Sequence, residues 1–289
     1  MSEARLAGPE RAACVRRLFD AVARRYDLLN HLLSAGLDRR WRRRAADVLA
    51  EGLAEGLAGG AAALQPRLDK PAVPHIKHAL ASGSRLNDNA SPPRPSTLDP
   101  HLILDLCSGT GDLAVAALAR LPAARVIACD FSRPMLERAA AKFARLGLAG
   151  RAAVLEADAL ALPLPDASAD GVTCAFGLRN LADPRRGLAE MVRVVRPGGP
   201  VVILEFYRPA GRGLRARLFG LYFRRILPRL GGWISGGGHG GYAYLVDSID
   251  AFGPIEGVAA MLAQAGLRDV RAEPLPGGVA AIFRGLRPD

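Results

Sequence analysis

With 289 residues, half of them hydrophobic and 23% charged, the chain can bury a sizeable core, which excludes wholesale disorder and leaves room for one large or two small domains. The net charge of +11 rests almost entirely on arginine and suits an anionic membrane surface or a nucleic acid equally well; genomic base composition accounts for part of it. The polar N-terminus and the lack of any run of 18 apolar residues predict a protein neither exported nor membrane-spanning. Cys14, Cys107, Cys129 and Cys174 lie far apart without a Cys-x-x-Cys pair, and no histidine stands at ligand spacing from them. They read as reduced, buried thiols of a cytoplasmic protein, with no metal site expected.

The chain opens on helix. Residues 12–50 carry an apolar stripe through Val15, Leu18, Phe19, Val22 and Tyr26, then a second group at Leu28, Leu29, Leu32 and Leu33 before the break at Gly36, which predicts a helical cap over residues 1–58. Within it, Asp38-Arg39-Arg40-Trp41-Arg42-Arg43-Arg44 reads either as a solvated helix face or as a surface for anionic headgroups. Residues 59–99 change character. Pro66, Pro71, Pro74, Pro92, Pro93 and Pro95 stand among Ala, Ser and Asn without sustained periodicity, and the stretch reads as a disordered or loosely packed insertion.

From 102 onward, apolar runs of strand length at 102–107, 125–130, 152–156, 170–176 and 200–206 alternate with helical stretches at 111–121, 132–146 and 184–195. The alternation predicts an α/β fold, a mostly parallel sheet with helices on both faces, whose ligand lies at the carboxyl ends of the strands. Those ends carry Ser108-Gly109-Thr110-Gly111, Asp130-Phe131, Asp158-Ala159, Phe176-Gly177-Leu178-Arg179-Asn180 and Glu205-Phe206, the mixture of polar and aromatic groups that a cofactor pocket needs. Beyond them, Arg208–Trp233 holds seven arginines and no acid among leucines and aromatics. It reads as an amphipathic membrane-surface helix, or as a core-packing helix with a solvated Arg face. The Gly-rich residues 231–241 have few conformational restraints and suit a lid. A helix at about 254–265 and two apolar stretches, 267–273 and 278–284, complete the chain, the last two as antiparallel edge strands joined through Pro274 to Gly277.

The arrangement centres on Leu102–Asp112. Gly109 and Gly111 let the backbone turn sharply and approach a ligand with no Cβ in the way, and the free amides of the following helix start then face that ligand. Asp130, 21 residues after Gly109, stands where a nucleotide-binding sheet hydrogen-bonds ribose hydroxyls. No Gly-x-x-x-x-Gly-Lys-Ser/Thr occurs, which excludes a P-loop nucleotidase. Gly109-Thr110-Gly111-Asp112-Leu113-Ala114 fits the dinucleotide fingerprint with its final Ala, so an NAD-dependent oxidoreductase stays open; against it stands Asp112, whose carboxylate would repel a pyrophosphate at the helix start. A nucleoside cofactor without phosphates tolerates that acid, S-adenosylmethionine being the obvious one, and Asp112 suits its ammonium group.

Val22–Asn30, Leu104–Leu113, Ala157–Pro163, Phe176–Asn180, Leu204–Phe206, Tyr242–Leu245 and Gly278–Ala281 resemble the ubiquinone/menaquinone C-methyltransferase family, class I S-adenosylmethionine-dependent enzymes of quinone biosynthesis. The likeness covers roughly 12–55 and 101–286; Phe-Gly-Leu-Arg-Asn and the N-terminal Tyr-Asp-x-x-Asn separate it from methyltransferases in general. The resemblance implies a Rossmann-like class I methyltransferase sheet with an antiparallel C-terminal strand, a catalytic domain over 100–289 and a helical lid at about 208–252. It implies that S-adenosylmethionine is contacted by Gly109, Thr110, Gly111, Asp130, Phe131, Asp158 and Ala159. Where the family commonly has Asn-Ala, this chain has Asp158-Ala159, whose carboxylate can accept from the adenine amino group.

The acceptor the resemblance implies is a polyprenylated quinol, demethylmenaquinol in the first place and 2-polyprenyl-6-methoxy-1,4-benzoquinol as the alternative. Arg179 is then expected to stabilise the phenolate, with Asn180 orienting the ring oxygen; an ion pair between Arg179 and a buried acid such as Glu205 is the competing reading. Tyr26 and Tyr242 either line the acceptor channel or pack in the core. A prenyl tail held in the bilayer implies transient contact with an anionic membrane surface through Arg208–Trp233 and Arg39–Arg44. The protein is thus expected in the cytoplasm, peripheral at the inner face of the membrane, without a nucleic-acid partner and with a homodimer left open. A non-catalytic nucleic-acid or membrane-binding module is the remaining rival.

Overall fold

Seven strands form one sheet in the computed structural model, which describes residues 8–23, 26–34, 36–59, 101–208 and 247–289. They are β1 (Leu102–Leu106), β2 (Arg125–Asp130), β3 (Ala152–Glu156), β4 (Gly171–Ala175), β5 (Pro200–Phe206), β6 (Arg268–Pro274) and β7 (Ala280–Leu286), in the order β3-β2-β1-β4-β5-β7-β6. Neighbours among β1–β5 pair in parallel; β7 runs antiparallel to both β5 and β6. Because successive side chains point to opposite faces, each central strand feeds two cores. Leu104, Leu106, Ile127, Cys129, Val201 and Ile203 enter one of them; Ile103, Val126, Ala128, Val202 and Leu204 enter the other.

The helices are α1 (Gly8–Val22), α2 (Tyr26–Leu33), α3 (Leu37–Gly59), α4 (Asp112–Arg120), α5 (Arg133–Arg145), α6 (Pro184–Val194) and α7 (Ile255–Gln264). From β1 to β5 every expected element lies within one residue of its observed bounds. α6 starts where Asp183 accepts from the Arg185 and Arg186 N–H groups, with Pro184 pre-set for the first turn. Its Leu188 and Met191, with Val258 and Leu262 of α7, cover one face of the sheet; α3, α4 and α5 cover the other with Leu49, Leu53, Leu113 and Phe143. Each such large side chain, fully buried, contributes about 1.5–3 kcal/mol.

The helical cap expected over 1–58 divides in two. α3 belongs to the sheet, tied to β7 by Arg284 on Glu55 (3.0 and 2.7 Å) and to β6 by Arg44 on Glu273 (2.9 and 2.8 Å). The basic run around Trp41 is therefore not one solvated face: Trp41 and Arg42 are 2% and 6% exposed, while Arg39, Arg40 and Arg43 face water and Arg44 is half-buried. The two C-terminal strands are also not both edges. β7 lies inside the sheet, while β6 forms the edge, largely exposed and charged, with a register shift between Arg268 and Arg271. The stretch 60–99, the Arg-rich segment from 209, the Gly-rich residues 231–241 and Tyr242 lie outside the described residues. No helix among the described residues is long and apolar enough to cross a membrane.

Candidate functional site

β1 has β2 on one side and β4 on the other, so the chain reverses its direction of winding at this point and leaves a crevice at the strands' carboxyl ends. A cavity of about 320 Å³ opens there, within the range of about 300–1,000 Å³ usual for small-molecule sites. Its floor comes from the turns after β1 (Cys107, Gly109), β2 (Asp130, Phe131), β3 (Asp158, Ala159) and β4 (Phe176, Gly177, Asn180). Its cover comes from Val15, Arg16 and Phe19 of α1 and Tyr26 of α2.

The two glycines of the turn have different reasons to be there. Both have positive φ, +56° at Gly109 and +82° at Gly111. A Cβ at Gly109 would stand in the cleft, 3.5 Å from Tyr26 Cε1, whereas one at Gly111 would lie 2.6 Å from Phe143 Cζ. Gly111 is thus required by the packing of α5 and is not among the residues that line the cavity. The Gly109 N–H donates to Asp130 Oδ2 (2.8 Å) and the Ser132 N–H to Oδ1 (2.9 Å). Burial nevertheless raises the Asp130 pKa.

Behind the turn, Asp105 accepts from the Ser108 and Thr173 hydroxyls (2.8 Å each), yet desolvation pushes its carboxyl up to about 6. The neighbouring Cys174 thiol and burial push Cys107 up, and burial does the same to Cys129, so both thiols at the cleft stay protonated.

Thr110 and Asp112 are not among the residues that line the cavity. The Thr110 hydroxyl donates to Asp27 of α2, and Asp112 is bound by Lys142 (2.5 Å). Phe131 packs with Val15, Leu18 and Phe19, with the Arg16 guanidinium 5.2 Å from its ring centre. Ala159 is buried against the cleft, and Asp158 stands exposed at its rim, accepting from the Leu160 N–H (2.9 Å).

The opposite wall is built on β4 and β5. Cys107 and Phe176 both have left-handed backbone (φ +53° and +57°), a strain of about 1–3 kcal/mol each that concentrates beside functional clefts. Phe176 stacks on Phe206 at 4.6 Å, with Trp41 edge-on to Phe206 at 6.2 Å. Arg179 is ion-paired with Glu205 in the interior (6% and 0% exposed), donates to the Phe176 carbonyl at 2.9 Å and lies outside the cavity lining. The competing reading of this arginine is the one the structure supports: its guanidinium does not face the cleft as a phenolate partner.

Asn180 does line the cleft, its Nδ2 donating to the Phe176 carbonyl at 2.9 Å. So does Tyr26, whose pKa is raised by burial, which keeps its hydroxyl a neutral donor. The cleft therefore gathers Tyr26, Gly109, Asp130, Phe131, Asp158, Ala159 and Asn180, and leaves out Thr110, Gly111 and Arg179. Sequence reasoning missed Arg16 and Lys142. The α1 stripe through Val15 and Phe19 marked a buried helix face, but the floor of the cavity those residues cover is formed by segments more than eighty residues away.

The sequence model of the ubiE/COQ5 methyltransferase family matches residues 7–79 and 89–287. Of the stretch read as an insertion, 59–99, only 80–88 falls outside that match. A demethylmenaquinone methyltransferase of Thermus thermophilus is 43% identical over 271 residues, 94% of this chain and 100% of its own. One of the same name from Deinococcus radiodurans is 39% identical over 96% of this chain and 93% of its own. A chain from the Haloferax volcanii complex of the Trm112 methyltransferase activator with a methyltransferase aligns at TM-score 0.52, covering 94% of this chain and 98% of its own at 17% identity, a likeness of fold alone.

Proposed function

The chain belongs to the ubiE/COQ5 methyltransferase family, and on that premise we propose that it moves a methyl group from S-adenosylmethionine to a ring carbon of a polyprenylated quinol, demethylmenaquinol. It is an S-adenosylmethionine-dependent methyltransferase with a class I sheet. The observation that carries the site assignment is Asp130. This acid is nearly fully buried on the cleft wall at the end of β2, held by backbone N–H groups that include those of Gly109 and Ser132, and a carboxylate there suits the paired hydroxyls of a ribose. The residues present fit the cofactor on that ground. Phe131 and Ala159 give an adenine apolar contact, and the Asp158 carboxylate at the rim can accept from its amino group.

Bound there, S-adenosylmethionine supplies a methyl group already activated on a sulfonium. The chain's own contribution is position and dryness. Val15, Phe19, Phe131 and Phe176 exclude water from the space beside Gly109. Tyr26 and Asn180 line that space, where they can orient a ring oxygen of the phenolate form while charge develops on the adjacent carbon that takes the methyl group and S-adenosylhomocysteine leaves. Arg179 acts through the chain: its bonds to Glu205 and the Phe176 carbonyl hold the turn that presents Asn180.

Incubation with methyl-labelled cofactor and reduced demethylmenaquinol, followed by mass analysis of the lipid, is expected to add one methyl group. Labelling only of the benzoquinol of ubiquinone biosynthesis would replace the acceptor, and no lipid labelling would remove the reading. The tail of such an acceptor places the enzyme at a membrane surface, and the charge of Arg208–Trp233 supports peripheral contact there. The purified protein is expected to sediment with anionic vesicles more than with neutral ones; equal sedimentation refutes the contact.

A further inference from the structure

We propose that Lys142 is a positioning residue for the methyl transfer: it fixes α2, and with it Tyr26, against the glycine turn, and so holds the N-terminal helices closed over the bound cofactor. The inference rests on the reading of the cleft as the S-adenosylmethionine site. Lys142 lies in the last turn of α5, and its ammonium has three donors. Nζ stands 2.8 Å from Asp27 Oδ2 on α2, 2.5 Å from Asp112 Oδ1 at the start of α4 and 3.2 Å from Thr110 Oγ1 in the turn. Thr110 in turn donates to the other oxygen of Asp27. One carboxylate of α2 is therefore gripped from α5 and from the cofactor turn at the same time.

The pair is partly withdrawn from water, with Lys142 13% and Asp27 34% exposed, so its attraction is screened less than that of a surface pair. Burial pushes the Asp27 carboxyl up, but the Lys142 and Thr110 hydrogen bonds with the charges of Lys142 and Arg42 outweigh it and hold the pKa below its usual value. Asp27 follows Tyr26, whose Cε1 is 3.5 Å from the space a Cβ on Gly109 would take. A shift of α2 therefore moves the cleft wall directly.

Among the described residues the cover is tied elsewhere by His31 of α2 to Asp38 of α3 (2.7 Å), by Ser132 Oγ to Asp20 Oδ1 (2.5 Å) and by Arg11 Nη2 to the Arg179 carbonyl (2.7 Å). Among the described side chains its apolar contact includes the small cluster of Val15, Leu18, Phe19 and Phe131, separate from the two sheet cores. A cover held by a few polar latches can open at modest cost to exchange cofactor for product. Lys142 is the latch that touches the cofactor turn.

The test compares full-length wild type with Lys142→Met, Lys142→Arg and Asp27→Asn. It reads S-adenosylhomocysteine binding by calorimetry, the KM for S-adenosylmethionine and the Tm. Lys142→Met is expected to raise the Kd and that KM together by about tenfold while kcat changes less. Lys142→Arg is expected to recover most of the affinity. Asp27→Asn is expected to match Lys142→Met, and the double variant to lose little more, because both remove the same bond. Wild-type affinity in Lys142→Met, or losses that add fully in the double variant, overturns the proposal. If Lys142→Met does not fold, Asp27→Asn decides the matter by the same measurements. Failure of the wild type to bind S-adenosylhomocysteine would instead refute the cofactor site itself.

Discussion

The two walls of the cleft use polar groups in opposite ways. On the β1–β2 side, Asp130 and Gly109 present a carboxylate and a tight turn to the ligand space. On the β4–β5 side, Arg179 and Glu205 turn toward each other in the interior, and what reaches the cleft is the Asn180 amide and the face of Phe176. The first wall offers a polar acceptor to the cavity, and the second turns its charges inward. A charged residue in a functional-looking motif can thus act by fixing its neighbours, and the partner of the charge separates the two cases: Arg179 meets the opposite charge of Glu205 in the interior, whereas Asp130 meets backbone N–H groups and lines the cleft.

The sharpest way to break this contrast is Glu205→Ala. It leaves Arg179 buried without its counter-charge and removes the acceptor of the Arg179 and Phe206 N–H groups. A loss of about 3–5 kcal/mol in urea unfolding is expected; a loss below about 1 kcal/mol would mean that the pair is not the strut of its wall.

Asp105 gives the next largest effect, on the binding wall. Its folded pKa of about 6 lies above the ordinary 3.8, so its contribution is fully present below about pH 4 and is lost as pH rises through 6. Over that window the wild type should lose about 3 kcal/mol relative to Asp105→Asn, measured as unfolding free energy at each pH. Parallel pH profiles for the two proteins would show that the carboxyl is not desolvated as described.

Asp130→Asn should change ligand affinity more than stability. S-adenosylhomocysteine is expected to bind about ten- to a hundredfold more weakly, the worth of a charge-assisted hydrogen bond, with most of the stability retained. Unchanged affinity would move the ribose away from β2.

Much of this was legible in the chain. The five apolar runs from Leu102 to Phe206 and the helices between them appear where alternation placed them, because strand and helix periodicity are properties of a few consecutive residues. The Gly109 turn and Asp130 were legible for the same reason, since a positive φ and an acid at a strand end are local demands. The direction of a polar side chain was not. Thr110 turns to Asp27, Gly111 is required by Phe143, Arg179 meets Glu205, and Lys142 joins three elements, each time across at least 26 positions in sequence.

Sequence by itself determined the layered sheet, the glycine turn after β1 and the family's motifs. Tertiary structure alone decided that α3 belongs to the sheet, that β7 enters between β5 and β6, and which charges face the cleft and which face each other. The reason is physical: backbone geometry and apolar periodicity follow from the residues at hand, whereas a buried polar group takes whichever partner the folded chain brings within hydrogen-bonding distance.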